Sequence, residues 1–182
     1  MAVDRVEKRL RKVSAALDAA GVPYAVIGGN AVAAWVGRAD PAATRATKDV
    51  DLLVRREDSA RVDGVMASLG FERQDLRRIV LFLDPDEPSK RSGVHLVWAG
   101  EKVRPSYSCP APLVEEAVRD PEGFMILDLA ALLRMKLTSF RPIDQAHISD
   151  LLSVGLIDES MRTSLPKDLL ERLQSVEQSL DD

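Results

Sequence analysis

The first apolar residues of the chain recur every three or four positions, with charged residues between them: Val6, Leu10, Val13 and Leu17. This spacing predicts an amphipathic helix over about residues 4–20, which Gly21 ends. The next apolar segment, YAVI, is a continuous run and predicts a short buried strand that leads into Gly28 and Gly29. Asn30 is a favourable N-cap for a helix over the following segment, AVAAWVG.

Strand and helix patterns alternate in the middle of the chain. Three apolar runs predict strands: DVDLLV, RRIVLFLD and VHLVWAG. Helical spacing predicts a helix in EDSARVDGVMASLG and a short one in APLVEEAV. From Ile126 onward, three segments have helical patterns: LDLAALLRMKLTSF, RPIDQAHISDLLSVG and PKDLLERLQSVEQSL. We therefore expect an α+β protein, or a small α/β sheet with a helical cap: a core over residues 1–125 and a helical region over residues 126–182.

Length and composition limit the classes to which this chain can belong. Its 182 residues suit one domain or a domain with a small appendage, and 46% apolar residues are enough for a core. No stretch approaches the roughly 20 apolar residues of a membrane helix, and the charged N-terminus lacks the apolar part of a signal peptide. The single cysteine, Cys109, cannot form an internal disulfide. We therefore expect a cytoplasmic protein with no membrane partner.

The net charge and its distribution bear on whether the chain binds nucleic acid. A net charge of −4 argues against a nucleic-acid binder that acts through bulk charge. The segment from Arg38 to Arg56, however, contains five basic and three acidic residues, and two of the acidic residues are Asp49 and Asp51. On charge alone this segment is typical of a solvated loop. Its two aspartates need a separate explanation.

Asp49 and Asp51 occupy alternate positions of a predicted strand, so their side chains point to the same face. Burying two like charges so close together is costly unless a cation lies between them. Mg²⁺ satisfies this need and is commonly held by one or two carboxylates together with substrate phosphates. Gly28 and Gly29 lie where a strand meets a helix, where phosphate oxygens can approach backbone N–H groups. The two elements together predict a site for metal ions and a polyphosphate.

The order of these elements resembles the nucleotidyltransferase superfamily related to DNA polymerase beta, in which a strand, Gly-Gly or Gly-Ser, a helix and a strand with Asp-x-Asp follow one another. The segments IGGNAVAAW and RATKDVDLLV are most similar to the AbiEii-like branch. The Arg-x-Thr-x-Asp-x-Asp stretch of that branch matches Arg45, Thr47, Asp49 and Asp51. Its later helical signature is similar to MKLTSFRPIDQAHISDLL through Lys136, Arg141, Asp144 and Asp150.

This resemblance implies a small mixed sheet flanked by helices, the nucleotidyltransferase fold, with a helical C-terminal part. It also implies transfer of a nucleoside monophosphate from an NTP to a hydroxyl, with release of pyrophosphate. The metal ligands it implies, for Mg²⁺ or Mn²⁺, are Asp49 and Asp51. The implied catalytic residues are Asp49, Asp51, His95, Lys136 and Asp144. The implied nucleotide-binding residues are Gly28, Gly29, Asn30, Arg45, Thr47, Lys136 and Arg141.

The acceptor implied by the superfamily is an RNA end, a protein hydroxyl or a small molecule. The AbiEii-like branch further implies a toxin of a toxin–antitoxin pair, with an antitoxin as partner. One position departs from the family pattern, because His95 stands where many members have a third carboxylate. His95 could accept the proton of the acceptor hydroxyl, bind a metal, or pack within the sheet. Asp84 and Asp86 are alternative third carboxylates.

Several alternatives remain open from the sequence. If His95 marks a loss of catalysis, the chain is a catalytically degenerate module that binds nucleotide. In a purely structural protein, Asp49 and Asp51 would instead pair with cations nearby in sequence: Arg38, Arg45 or Lys48. On the later helices, Lys136 and Asp150 could be structural, and Arg141 could pair with Asp144 at i,i+3. His147 could share a hydrogen-bonded or metal-binding helix face with the neighbouring aspartates: Asp144 and Asp150.

Overall fold

The computed structural model describes residues 2–76 and 79–181. In chain order, the elements up to residue 98 are α1 (Ala2–Ala19), β1 (Tyr24–Ile27), α2 (Gly28–Ala39), β2 (Val50–Val54), α3 (Ser59–Ser68), β3 (Glu72–Leu76), β4 (Ile79–Leu83) and β5 (Val94–Trp98). The elements after residue 98 are β6 (Ala117–Arg119), β7 (Met125–Leu127), α4 (Leu129–Ser139), α5 (Pro142–Ser153), α6 (Glu159–Ser164) and α7 (Lys167–Asp181). Short 3₁₀ turns occupy Pro41–Ala43, Arg56–Asp58 and Val114–Glu116.

The strands form one mixed sheet in the order β3-β4-β5-β2-β1-β7-β6. Strand β1 pairs antiparallel with β2, which sets Ile27 opposite Asp51. Strand β2 pairs in parallel with β5, which sets Asp51 beside His95. The C-terminal end of β1 and the N-terminal ends of β2 and β5 therefore meet at one edge of the sheet.

Helices cover both faces of this sheet because its strands are apolar on both sides. Helices α1 and α3 pack on one face, where Leu17 and Met66 are fully buried. Helices α2, α4, α5 and α7 pack on the other face, around Leu53. Side chains alternate along a strand, so Asp51 points to the same face as Leu53. The predicted carboxylate pair therefore lies on the side of the sheet that α2 covers.

The architecture confirms the predicted fold class of a small mixed sheet flanked by helices. Strand β1 has the predicted bounds, and the run RRIVLFLD contains β4, although Arg77 and Arg78 lie outside the described residues. The division at residue 125 stays a prediction. Among the described helices, none is both long and apolar enough to cross a bilayer.

Some local predictions were wrong. The segment APLVEEAV is a 3₁₀ turn followed by the edge strand β6, because pairing with β7 overrides its helical spacing. Strands β3 and β7 and helix α6 were not predicted, since β3 is largely polar and exposed and β7 has only three residues. Asn30 is not an N-cap, because α2 already begins at Gly28. Its amide instead donates to the backbone carbonyl of Asp49 across 2.7 Å.

Candidate metal and nucleotide site

Three side chains converge where β1, β2 and β5 meet. His95 Nδ1 lies 3.2 Å from Asp51 Oδ1 and 3.5 Å from Asp49 Oδ2. One ligand atom from each of the three residues lies within 4.8 Å of the others. Two carboxylates and an imidazole at this spacing fit a divalent cation. Within the described residues, this is the one group of three or more such side chains.

The loop before β2 holds Asp49 in place. Thr47 Oγ1 donates to Asp49 Oδ1 across 3.0 Å, and the Asn30 amide holds the backbone carbonyl of Asp49. The Thr47 contact holds the carboxylate within its own loop, and the Asn30 contact ties the backbone of Asp49 to the N-terminal turn of α2. The spacing between Thr47 and Asp49 therefore lets one strand-entry segment present a carboxylate and fix its rotamer.

The glycine pair lies directly against the carboxylates. Gly28 has a φ of 67°, and a Cβ atom at this position would lie 2.1 Å from Asp51 Oδ2. A Cβ atom at Gly29 would lie 3.0 Å from Thr47 Oγ1. A side chain at either residue would therefore crowd the gap between the helix N-terminus and β2. The structure thus brings together the glycines and aspartates that the sequence analysis singled out.

Electrostatics within the group favour a cation. Hydrogen bonds with Asp49 and then with Asp51 raise the pKa of His95 to about 10, although burial opposes this. Burial also acts to raise the pKa of Asp49, but hydrogen bonds from His95 and Thr47 outweigh it and lower that pKa below its usual value. As an imidazolium, His95 offsets one of the two negative charges. A divalent metal binds the neutral imidazole, so proton and metal compete for His95 Nδ1.

The other nitrogen of His95 faces the backbone. His95 Nε2 lies 3.3 Å from the carbonyl oxygen of Lys90. A carbonyl only accepts hydrogen bonds, so this contact assigns the proton of a neutral imidazole to Nε2 and leaves the Nδ1 lone pair toward the carboxylates. Metal-binding histidines commonly have such a second partner.

Lys136 and Asp144 form a buried ion pair between α4 and α5. Lys136 Nζ donates to Asp144 Oδ1 across 3.0 Å, and the Asp144 side chain is fully buried. Asp144 Oδ2 accepts from Ser139 Oγ and from Arg141 Nε, each across 2.7 Å. Burial acts to raise the pKa of Asp144, but the Arg141 hydrogen bond and the Lys136 charge hold it far below its usual range. The i,i+3 pairing of Arg141 with Asp144 is therefore present.

Neither Lys136 nor Asp144 belongs to the cluster of Asp49, Asp51 and His95. Arg141 is more exposed, and the charge of Asp51 contributes to its raised pKa after the larger effect of its hydrogen bond with Asp144. Direct contacts of Lys136, Asp144 and Arg141 with a nucleotide stay predictions.

Two of the three cations considered as structural partners of Asp49 and Asp51 pair elsewhere. Arg45 Nε bonds Asp150 Oδ2 across 2.6 Å. Arg38 bonds Asp120 Oδ2 across 2.7 Å. The alternative in which these two arginines neutralise the carboxylate pair is therefore wrong.

Of the two alternative third carboxylates, Asp84 has another partner. Asp84 is buried and accepts from Arg9 Nε across 2.6 Å, and its second oxygen accepts from the backbone N–H of Asp86. The buried Asp84 is therefore directed to Arg9, while His95 is the third member of the carboxylate cluster.

His147 was expected on a hydrogen-bonded helix face, and its surroundings differ. The residue is buried, and its Nδ1 has no hydrogen-bond partner among the described residues. Its Cε1 would lie 3.7 Å from a Cβ atom at Gly29, which places the ring beside the N-terminal turn of α2. Burial and then the charge of Lys136 lower the pKa of His147 to about 4, so the ring is neutral at pH 7. Only the packing of α5 on α2 could reveal this proximity.

A cavity of about 550 Å³ adjoins the site behind Asn30 and Thr47. The outer face of α2, the N-terminal half of α1, the 41–47 loop and the turn at 120–124 line it. Its volume is within the range of small-molecule sites.

The sheet order, the glycine-lined helix N-terminus and the Asp-x-Asp pair define the class of protein as one with a nucleotidyltransferase fold. The family described as uncharacterised nucleotidyltransferase matches residues 3–121. The chain belongs to this family and is a transferase enzyme.

Two solved structures of the antibiotic-resistance factor ANT(2'')-Ia have a similar fold. The solution structure has a TM-score of 0.54 at 19% identity, covering 99% of this chain and 86% of that chain. The crystal structure in complex with adenylyl-2''-tobramycin has a TM-score of 0.57 at 19% identity, covering 98% and 99%. At this identity the likeness shows the fold alone. No curated protein sequence is significantly similar to the chain.

Proposed function

We propose that the protein is a metal-dependent nucleotidyltransferase that moves a nucleoside monophosphate from an NTP to a hydroxyl acceptor. The observation that carries the proposal is the contact between Gly28 and Asp51, where a Cβ atom would lie 2.1 Å from the carboxylate. This contact sets a helix N-terminus, which favours anions, against two carboxylates, which favour cations. A metal-bound polyphosphate supplies both charges at once.

In this proposal, Asp49 and Asp51 would hold Mg²⁺ or Mn²⁺, and His95 is either a third ligand through Nδ1 or the base. The metal, when bound, supplies charge stabilisation for the transferred phosphoryl group. The backbone N–H groups of Gly28 and Gly29 hold phosphate oxygens. Substitution at the α-phosphorus forms the bond to the acceptor oxygen and breaks the bond to the bridging oxygen, so pyrophosphate leaves with that electron pair. The acceptor hydroxyl loses its proton to a base.

Two roles of His95 stay open within this proposal, metal ligand and base. The ligand role is supported by the Lys90 carbonyl, which directs the Nδ1 lone pair to the carboxylates. Both roles require the neutral imidazole, whereas the carboxylates favour the protonated ring when no metal is bound. Arg45, Thr47, Asn30 and Arg141 are proposed to orient the nucleotide or its carboxylate ligands. Lys136 and Asp144 are proposed to support Arg141 from the buried side.

For the acceptor, a small hydroxyl-bearing molecule is favoured over RNA or protein. The adjoining cavity has a suitable volume, and ANT(2'')-Ia has been crystallised with the adenylylated small molecule tobramycin. The net charge of −4 also disfavours binding of RNA through bulk charge. Membership of the AbiEii-like branch, the toxin role with its antitoxin partner, the cytoplasmic location and the two-part division at residue 125 stay predictions.

The test is pyrophosphate release by the purified protein with each NTP, Mg²⁺ or Mn²⁺, and a panel of small-molecule, RNA and protein acceptors. Asp49→Asn and Asp51→Asn should each lower the rate by at least about 100-fold, because each removes a charged ligand of the metal. Asp63→Asn is the matched control, since Asp63 pairs with Arg73 on the surface. Equal rates in all three variants would contradict the proposed site.

A second candidate is a module that binds nucleotide without transferring it, and one observation favours it. His95 contacts both carboxylates, so a protonated ring offsets one of their two negative charges in place of a metal. Calorimetry that shows NTP and Mg²⁺ binding, together with no turnover in the full acceptor panel, would support this candidate. Gain of turnover in His95→Asp would support it further, whereas turnover by the native protein would exclude it.

A further inference from the structure

Arg9 is a buried cation that joins two segments leading into the candidate metal site. Its side chain is 1% exposed, and its Nε donates to Asp84 Oδ2 across 2.6 Å. One terminal nitrogen donates to Glu87 Oε2 across 3.0 Å, and the other lies 3.4 Å from the carbonyl oxygen of Lys48. A buried charge is tolerated only with such partners, so the guanidinium holds all three groups in a fixed arrangement.

The first of these segments, residues 84–92, leads into β5. Asp84 folds it into a tight turn by accepting from the backbone N–H groups of Asp86 and Glu87, across 3.0 and 3.1 Å. The same segment contains Lys90, whose carbonyl oxygen lies 3.3 Å from His95 Nε2. The position of this carbonyl sets the direction of the imidazole.

The second segment leads into β2. Arg9 contacts the Lys48 carbonyl, and Asn30 holds the next carbonyl, that of Asp49. The backbone N–H of Val50 then donates to the carbonyl of Gly93 across 3.1 Å, which joins the starts of β2 and β5. The two segments that carry the ligands are therefore fixed to one another at this edge, with Arg9 behind them.

We propose that Arg9 is a positioning residue of the candidate metal site, which it serves by holding the Asp49 and His95 segments in register. This inference rests on the proposed metal-dependent function. The role is separable from stability, because apolar residues can often replace a buried ion pair at no cost to folding. The displacement of the Asp49 and His95 segments should therefore persist in a variant of Arg9 whose stability has been restored.

The experiment measures Mn²⁺ affinity of the full-length protein by calorimetry or electron paramagnetic resonance, together with urea unfolding. The variants are Arg9→Met, Arg9→Lys and the double variant Arg9→Met/Asp84→Asn, which removes both buried charges. Arg11→Met is the matched control, because Arg11 lies on the same helix and pairs with two exposed side chains, Glu7 and Glu122. Hydrogen exchange of residues 84–92 reports whether the segment loosens.

Arg9→Met should weaken Mn²⁺ binding about tenfold, which is typical for loss of an outer partner of a metal site. The double variant should recover unfolding stability but keep the weaker affinity and faster exchange. Arg9→Lys should recover part of the affinity, and Arg11→Met should match the native protein. Native Mn²⁺ affinity in the double variant would overturn the inference.

The native protein and Asp49→Asn separate this inference from the function on which it rests. Binding that depends on Asp49 but not on Arg9 would overturn the positioning role alone. Mn²⁺ binding that Asp49→Asn leaves unchanged would overturn the proposed metal site, and the role of Arg9 with it.

Discussion

Gly28→Ala should damage the site more than it damages the fold. Gly28 has a φ of 67°, a left-handed conformation that costs an L-residue about 1–2 kcal/mol. For a chain of 182 residues, that loss corresponds to a fall in Tm of roughly 2–8 °C. The added Cβ atom would also lie 2.1 Å from Asp51 Oδ2, whereas ordinary van der Waals contact begins at 3.4 Å.

The carboxylate of Asp51 must therefore retreat by more than 1 Å or leave its rotamer. A misplacement of about 1 Å in a catalytic group can cost on the order of 100-fold in rate. We expect a loss of that size in pyrophosphate release, together with weaker Mn²⁺ binding. Differential scanning calorimetry measures the accompanying change in Tm.

Gly155→Ala is the control that separates the effect of backbone strain from the effect of a steric collision with Asp51. Gly155 has a φ of 71°, and a Cβ atom there meets nothing within 4 Å. This variant should show a similar fall in Tm with native activity. Native activity in Gly28→Ala, or an equal loss of activity in Gly155→Ala, would refute the argument that a carboxylate faces the glycine across the gap.

Two further predictions concern buried ionisable groups. Between pH 6.5 and about 4, the free energy of unfolding should fall by up to about 3 kcal/mol, because the unfolded chain protonates His147 while the folded protein keeps it neutral. In His147→Gln, the free energy of unfolding measured with urea should fall less steeply as the pH drops from 6.5 to about 4. An unchanged pH dependence would contradict the assignment of this effect to His147. Asp144→Ala should cost about 3–5 kcal/mol, because it leaves the Lys136 ammonium buried without its partner. Glu101→Gln, which breaks a surface pair, should cost less than about 1 kcal/mol in the same assay, and equal losses would show that the buried pair contributes nothing special.

The local pattern of apolar residues was sufficient to predict an element where that pattern has a clear helical spacing or forms a continuous apolar run. The first helix, β1, β2 and three of the helices after residue 128, α4, α5 and α7, follow this rule. Pattern failed for β3, β6 and β7, because short or polar strands gain their stability from neighbouring strands rather than from their own residues. The N-cap prediction for Asn30 failed for a similar reason. Its side chain bonds a residue distant in sequence, the backbone carbonyl of Asp49, and does not cap its own helix.

Some residues of the candidate site could likewise be predicted from local sequence features, and others depend on tertiary contacts. Asp49, Asp51, Gly28 and Gly29 could be found from the sequence because alternation along a strand and a glycine pair before a helix are local features. Arg9 could not be found, since its partners are 39 to 78 residues away in the chain. The burial of His147 against the second glycine likewise depends on how α5 packs on α2.

The sequence alone determined that two carboxylates share one face of a strand, that a helix follows a glycine pair, and that the class of fold is mixed. Those properties depend on side-chain alternation and backbone freedom, which act over a few residues. Only the tertiary structure decided that the helix N-terminus and the carboxylates face each other, that His95 joins them, and that Arg9 braces both segments. These contacts join residues far apart in the chain, and their distances depend on sheet register and helix packing.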